Sequence, residues 1–551
     1  MSPLSVDAAS LPSPTASDTG DESRFDFRLP LQTPIGVCER KLGDNETSYF
    51  LPSRSNGVND MYLHLGFKAP HRLVQRERVS VIWALLRLQH PLLASHIRMH
   101  SYDDIRFVYR PPGSPDAALR DAEQQLEWKY ETKEELMEAY LNGPRTLSAT
   151  RLSYLIISRT PSSDPYPSPP QTPTVPVNLA ALQSQLVQEE TEVHDFSFFL
   201  AAVHSIGDGM ALHALANDFF CLLGGSMSVP ELHGLLVTEW EKRCNTPLSD
   251  KLTALPPSYE ESLPVATSAF RRAVGRVDFE AAQNKQIGGQ AFPRRKDPVR
   301  HTVVPTLAFD QDVTKRMLKN CKANGVSIAG ALFAVCNMAW ARMTSREQQR
   351  LPMMTYAAMN VRPCLVPRPM NDSYFFLSVG YFNVTLPAFL PSNMADGVFW
   401  HRARSAKSQI TQAAKTPMLA SRCHHMSIQR GRQSRAWAAE DDQKVAGIWT
   451  PPPTPTVAAS APTTKPPSSA LLGLSMLGNL DAMYKHREFP DIQMHTLTTG
   501  SRQRSGAMLL FGYTFAGRLW VSLGYDEKGY EDKPVSIFWQ NMLDTMNEFL
   551  A

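Results

Sequence analysis

Val203-His204-Ser205-Ile206-Gly207-Asp208-Gly209 stands between two stretches of different periodicity. Upstream, Asp195 to Val203 is a short apolar run rich in aromatic residues (Phe196, Phe198, Phe199), which reads as a buried strand. Downstream, Leu212, Leu215, Phe219 and Leu222 recur at helical spacing from Met210 to Leu223, and Gly224-Gly225 ends the pattern. His204 therefore falls where a buried strand stops and a glycine-containing turn begins. An imidazole in that position leaves the sheet and points into a cleft, while the backbone behind it is held rigid.

Bulk properties narrow what such a cleft can serve. A chain of 551 residues exceeds one ordinary core, so two lobes are expected, and 43% hydrophobic residues suffice to fill them. The net charge of +3 is nearly balanced, with no long basic run, so no nucleic-acid partner is implied. The seven cysteines are odd in number, scattered and without a C-x-x-C pair. That pattern suits a reducing compartment and predicts neither a disulfide framework nor a metal site. No apolar run reaches transmembrane length. The N-terminus lacks a basic region followed by an apolar core, and Phe549-Leu550-Ala551 is not a peroxisomal tripeptide. The cytoplasm is the expected address, with the peroxisome as the alternative, and a monomer is expected.

In chain order, residues 1–23 are rich in Ser, Pro, Thr and Asp and read as a disordered tail, with structure beginning near Phe25. Residues 24–275 form the expected N-terminal lobe and 276–551 the C-terminal one. Each carries a proline-rich stretch that cannot pack, read as mobile insertions at about 160–190 and about 430–468. Helices are predicted at Val79–Leu88, Gln311–Ala323, Ile328–Arg342 and Val535–Leu550. Strands are predicted at Arg151–Ser158, Met353–Ala358, Gly380–Leu386, Met508–Phe515 and Leu519–Tyr525. Pro91 stops the first helix after His90, and Asn324-Gly325 and Ser327 mark the end of one helix and the cap of the next. This alternation suits an α/β fold of two similar lobes.

A strand ending in H-x-x-x-D-G and feeding a helix resembles the active-site motif of the chloramphenicol-acetyltransferase-like superfamily, which includes plant BAHD acyltransferases and peptide-synthetase condensation domains. In the fuller form, H-H-x-x-x-D-G, the first His corresponds here to Val203. Three further stretches match in order: Gln89-His90-Pro91-Leu92-Leu93 after a helix, Asn360-Val361-Arg362-Pro363 in the second lobe, and Gly473 to Asp481 as a late active-site strand. Arg40 to Leu51 is similar to the opening strand of the fungal members. The BAHD motif D-F-G-W-G is absent, so the chain looks more like fungal trichothecene-type O-acetyltransferases and the related mannosylerythritol-lipid acyltransferases.

The resemblance implies two lobes, each a mixed sheet flanked by helices, with a channel between them. It further implies an acyl-CoA-dependent O-acyltransferase acting on a hydroxyl of a secondary metabolite or glycolipid. Acyl-CoA would be a co-substrate, and no cofactor would be bound permanently. His204 would be the general base, since neutral imidazole titrates near 6.5. No acyl-enzyme is needed, so the lack of a nucleophile elbow is no obstacle; Gly325-Val326-Ser327-Ile328-Ala329 has no closing glycine. Asp208, Gly209 and Arg362 would be structural, Arg362 reaching across to pair with Asp208. Gly207 and Gly209 would allow a tight turn. Ser475, with Asn479 nearby, is the candidate oxyanion donor. His90 reads as structural, His213 as packing or solvent-facing, and His424-His425 lacks the D-G that would make it a second motif. Two rival readings stay open: a condensation-like enzyme forming amides or esters from carrier-bound substrates, and a non-catalytic two-lobe binding module.

Overall fold

The structure, a computed structural model, describes residues 36–160, 192–244, 255–295, 299–366, 372–391, 396–451 and 468–551. The expected N-terminal tail and the start near Phe25 lie outside them, as do most of the 160–190 insertion and residues 452–467 of the second one. Val37–Ala551 forms one compact unit built on two mixed sheets and a small antiparallel one, Cys38–Lys41, Ile105–Tyr109 and His96–Met99.

The first sheet has five strands in the order Gln493–Ser501, Met61–Pro70, Val193–Ala202, Ser153–Arg159, Leu126–Lys129. Only the outermost pair, Leu126–Lys129 with Ser153–Arg159, is parallel. Val193–Ala202 is central and buried over its last seven residues, as its continuous apolar run requires. The helices Arg76–Gln89 and Gly209–Gly224 belong to the same core, which includes Trp83, Phe198 and Phe219. The second sheet runs Val379–Leu386, Met353–Asn360, Gly473–Asn479, Met508–Phe515, Arg518–Asp526, with short strands Thr302–Val303 and Thr306–Ala308 both paired to the last. Gly473–Asn479 is parallel to both neighbours. Its core holds the buried helix Ile328–Ala341 and the C-terminal helix Asp532–Phe549.

The fold is thus α/β, two lobes of mixed sheet flanked by helices, as the sequence implies. The lobes are not simply consecutive in the chain, however. Gln493–Ser501 leaves the second half and completes the first sheet, with Ser501 opposite Met61 and Met61 opposite Ala202. The boundary expected at 275 falls inside the helix Ala269–Asn284. Tyr49-Phe50-Leu51, expected on an opening strand, lies on the helix Asp44–Ser53; the strand is Cys38–Lys41.

Residues 430–445, expected within an insertion, are instead part of a 27-residue helix, Leu419–Val445. Its buried face is made of Cys423, Ser427, Gly431, Ser434 and Ala438, spaced at three or four residues. These side chains are too small and polar to register as a hydrophobic stripe, yet they let this helix lie close against Asp44–Ser53. Two ion pairs fix the contact, Arg435 to Asp44 at 2.7 Å and Arg54 to Asp442 at 2.5 Å, and Arg54 also donates to the Ala438 carbonyl at 2.9 Å.

Among the described residues no single helix is long and apolar enough to cross a membrane. Gln311–Ala323 and Ile328–Ala341 reach that length only together, and they bend by 94° where they meet.

A Cβ at Gly431 would come within 2.9 Å of the Asp44 Cβ, which has no freedom to step aside. Gly431→Val is expected to push the two helices apart and lower stability by about 1–3 kcal/mol, read as a lower melting temperature. An unchanged melt would show that this contact is loose.

Candidate active site

Two residues beyond the strand Val193–Ala202 the chain reaches a cavity of about 600 Å³ lined by both of its halves, with His204 on the wall. His204 lies in the single 3-10 turn, His204–Ile206, that follows. Its Nδ1 is 3.0 Å from the Gly207 carbonyl. A carbonyl can only accept, so Nδ1 carries the hydrogen and Nε2 is the basic nitrogen. Among the described residues no protein group bonds Nε2. The ring stacks on Tyr49 with centroids 3.9 Å apart and planes inclined by 18°. Burial pushes its pKa below the ordinary 6.5, although Asp208 and the Gly207 carbonyl oppose part of that shift. The imidazole is therefore neutral, fixed in one tautomer and presented to the cavity.

Asp208 is 2% exposed and saturated with donors. Its Oδ1 accepts from the Ala211 N–H at 3.1 Å, so it caps the helix Gly209–Gly224. Arg362 Nη1 donates to both carboxylate oxygens at 2.9 Å, and the Ser378 N–H donates to Oδ2 at 2.8 Å. The second Arg362 nitrogen donates to the Phe376 carbonyl, and its guanidinium lies 5.0 Å from that ring. The segment 372–378 is thereby sewn to the first half. His90 hydrogen-bonds Ser373 through Nδ1 at 3.0 Å, and Tyr374 donates to Asp218. With a pKa pushed down to about 3 by burial, His90 is a neutral structural residue.

The glycines of the motif act through space rather than through φ. Gly207 is extended at φ −173°, a conformation open to any residue. A Cβ there would stand 2.8 Å from the ring of Phe375, and one at Gly209 would stand 3.3 Å from Leu477. The turn is tight because the second half packs directly on it.

Of the two oxyanion candidates, Ser475 lines the cavity from the strand Gly473–Asn479, and its hydroxyl has no hydrogen-bond partner among the described residues. Asn479 does not line it. This residue lies exposed at the far end of the strand, where its side chain accepts from Thr514 Oγ1 at 3.2 Å, and it is withdrawn as a candidate. His213 is fully buried and bonded to Tyr484 at 2.8 Å, so it packs. The rest of the wall includes Met61, Met210, Met359, Met426, Met476 and Met508, a soft apolar surface that adapts to irregular ligands.

Three side chains beside His204 were not legible in the sequence. Tyr49 and Tyr381 share a hydrogen bond between their hydroxyls, and the guanidinium of Arg430 lies 5.4 Å and 4.4 Å from their ring centres. Burial holds the Tyr49 phenol well above its ordinary pKa, so it stays protonated. Arg430 is carried in by the long helix that the polar pattern concealed.

No family model matches the chain. The Azaphilone biosynthesis cluster protein M of Aspergillus terreus is 23% identical over 282 residues, which are 50% of this chain and 61% of that protein, so the match spans less than two thirds of the relative. Among solved structures, the TRI3 trichothecene 15-O-acetyltransferase from Fusarium sporotrichioides superposes with a TM-score of 0.68 at 12% identity, covering 94% of this chain and 96% of that one. The first condensation domain of the CDA synthetase gives 0.53 at 10% identity over 93% and 97%. The epimerization domain of the third module of tyrocidine synthetase B gives 0.52 at 12% identity over 94% and 98%. These likenesses show the fold, one shared by acetyltransferase and condensation-type domains.

Removing one partner of a buried ion pair leaves the other uncompensated, at about 3–5 kcal/mol. Asp208→Ala and Arg362→Ala are expected to lower the melting temperature clearly, while His204→Ala, which loses only a stacking contact and one hydrogen bond, melts close to wild type. A thermal melt that reverses this order would sink the division between chemical and architectural roles.

Proposed function

We propose that this chain is an acyl-CoA-dependent O-acyltransferase that esterifies a hydroxyl of a hydrophobic secondary metabolite or glycolipid. One observation carries the reading: a neutral imidazole, its Nδ1–H tied to the Gly207 carbonyl, presents Nε2 to a cavity between the two lobes of an acetyltransferase-type fold.

The chemistry asks little else of the protein. Nε2 of His204 takes the proton of the acceptor hydroxyl as its oxygen attacks the thioester carbon. The carbonyl oxygen becomes an oxyanion, for which the free Ser475 hydroxyl is the available donor. As the C–S bond breaks, the imidazolium returns the proton to the departing thiolate, leaving an ester and free coenzyme A. His204 thus ends as it began, and no residue is acylated. Asp208 and Arg362 bond each other and are absent from these steps; their task is to hold the turn that aims His204. The methionine-lined wall fits an apolar acceptor or acyl chain without rigid shape selection.

Purified protein incubated with acetyl-, hexanoyl- or palmitoyl-CoA and an extract of hydroxylated metabolites should release free thiol only when an acceptor is present. His204→Ala should reduce that release by about 10²–10⁴-fold, and Ser475→Ala by about 10²–10³-fold. Binding without thiol release would favour a non-catalytic module, and activity only with carrier-bound donors would favour a condensation-type enzyme.

The buried imidazole also fixes the sign of the pH dependence. Because burial lowers its pKa below 6.5, the neutral, basic form outweighs the protonated one at pH 6.5. kcat/KM should fall on acidification along a limb whose midpoint lies below pH 6.5. A limb centred above pH 6.5 would mean that some other group supplies the base.

A further inference from the structure

The cavity wall carries four side chains of fixed charge: Asp208, Arg294, Arg430 and Arg504. Asp208 is already neutralised by Arg362. Among the described residues none of the three arginines pairs with a carboxylate, so the chamber is left positive. Arg294 and Arg504 are exposed, and water can solvate them; Arg504 also lies 5.8 Å from the Trp437 ring. Arg430 differs in being half-buried, pressed between its own helix and the Tyr49–Tyr381 pair.

A guanidinium has five N–H donors in one plane and no acceptor. Arg430 Nε donates to Ser48 Oγ at 3.3 Å, and among the described residues its outer nitrogens have no hydrogen-bond partner. Two aromatic faces attract the positive charge but accept no in-plane hydrogen bond. A desolvated cation in that state lacks the anion that would normally compensate it. Its position is nonetheless fixed, because the helix carrying it is clamped to Asp44–Ser53 by Arg435–Asp44 and Arg54–Asp442. His204 and Arg430 both lie against Tyr49 and both line the same cavity, so one bound molecule can reach both.

We propose that Arg430 forms an oxyanion-binding subsite inside the cavity, taking a carboxylate or phosphate group of the bound substrate beside His204. The inference rests on the cavity being the reaction chamber. It adds that one substrate brings a permanent negative charge to the hydroxyl-activating residue. A planar fork matches a carboxylate with two parallel hydrogen bonds. The apolar wall nearby would hold the aliphatic or aromatic body of such an acid. The same chemistry has two sources, an acidic acceptor or the phosphates of the donor, and the experiment separates them.

Binding of benzoate, benzamide, inorganic phosphate and coenzyme A to the full chain would be measured by calorimetry at constant ionic strength, for wild type, Arg430→Gln and Arg430→Lys. The expected result is benzoate bound about tenfold tighter than the uncharged benzamide, a preference lost in Arg430→Gln and largely kept in Arg430→Lys, with coenzyme A unaffected. If coenzyme A and phosphate weaken in Arg430→Gln while benzoate does not, the subsite stands and belongs to the donor. If every ligand binds Arg430→Gln as it binds wild type, or no anion binds wild type, the proposal falls. Should Arg430→Gln fail to fold, the wild-type preference for benzoate over benzamide decides by its pH dependence. A preference that is constant from pH 6 to 8 and survives in the double variant Arg294→Gln/Arg504→Gln marks Arg430; one lost with those two arginines, or one that grows as pH falls and so marks protonated imidazole, overturns the proposal. These measurements need no turnover, so their failure is distinct from a failure of the acyl-transfer assay with His204→Ala.

Discussion

The carboxylate of Asp208 is the point at which the two halves of this molecule become one site. A buried carboxylate is tolerated only when its lone pairs are satisfied, and here the donors come from both sides: the Ala211 amide from its own helix, the Arg362 guanidinium and the Ser378 amide from the second half. The helix N-terminus adds a favourable dipole to the same negative charge. Satisfying Asp208 therefore requires the second half to dock in one register. Once it is docked, Phe375 closes on Gly207 and the short turn holding His204 has no room to relax. The proposed base is thus held by a residue that the proposed mechanism leaves out of its steps.

The orientation of His204 follows from that restraint. Its ring is fixed on one edge by the Gly207 carbonyl and on one face by Tyr49, which leaves Nε2 directed at the cavity. Tyr49 is in turn fixed by the helix Asp44–Ser53, by the hydroxyl of Tyr381 and by the overlying Arg430. The stacking partner of His204 thus depends on the long helix Leu419–Val445, far away in sequence. An imidazole positioned on one side by a buried ion pair and on the other by an aromatic stack has little freedom left to lose, which is what the proposed general-base role asks of it.

What was legible in the sequence were features whose signal is local. The strand Val193–Ala202, the helices Gln311–Ala323 and Ile328–Ala341 and the strand Met508–Phe515 are marked by apolar runs, caps and Asn-Gly punctuation, and they lie within a residue or two of their expected bounds. The strand and helix flanking His204 and Asp208 were legible for the same reason, while the roles of the motif and of Arg362 came from the resemblance to the acyltransferase superfamily. The strand Gln493–Ser501 was not legible, because its meaning lies in whom it pairs with, Met61–Pro70 across more than half of the chain. The helix Leu419–Val445 was missed because its buried face is built from Cys, Ser, Gly and Ala, which carry almost no hydrophobic signal. Arg430 inherits that blindness, whereas Tyr381 stands on a strand that was legible and owes its place in the site to its pairing with Tyr49, 332 residues away. Asn479 failed differently: proximity to Ser475 in sequence suggested a shared site, but the strand runs out of the cavity before reaching it.

Val203 is the clearest departure from the fuller two-histidine motif, and its surroundings say what the departure costs. Its side chain is 2% exposed and sits in the core of the first lobe, while its amide bonds the Leu152 carbonyl at 2.9 Å. It does not line the cavity, whereas His204, one residue on, does. Adjacent residues leaving a strand point to opposite sides, so a side chain at 203 is committed to the core as surely as the one at 204 is committed to the channel. A valine there contributes apolar burial where an imidazole would need a buried hydrogen-bond partner. The substitution therefore leaves the cavity-facing nitrogen, its tautomer and its stacking partner as they are, and it gives no physical reason to read the site as inactive.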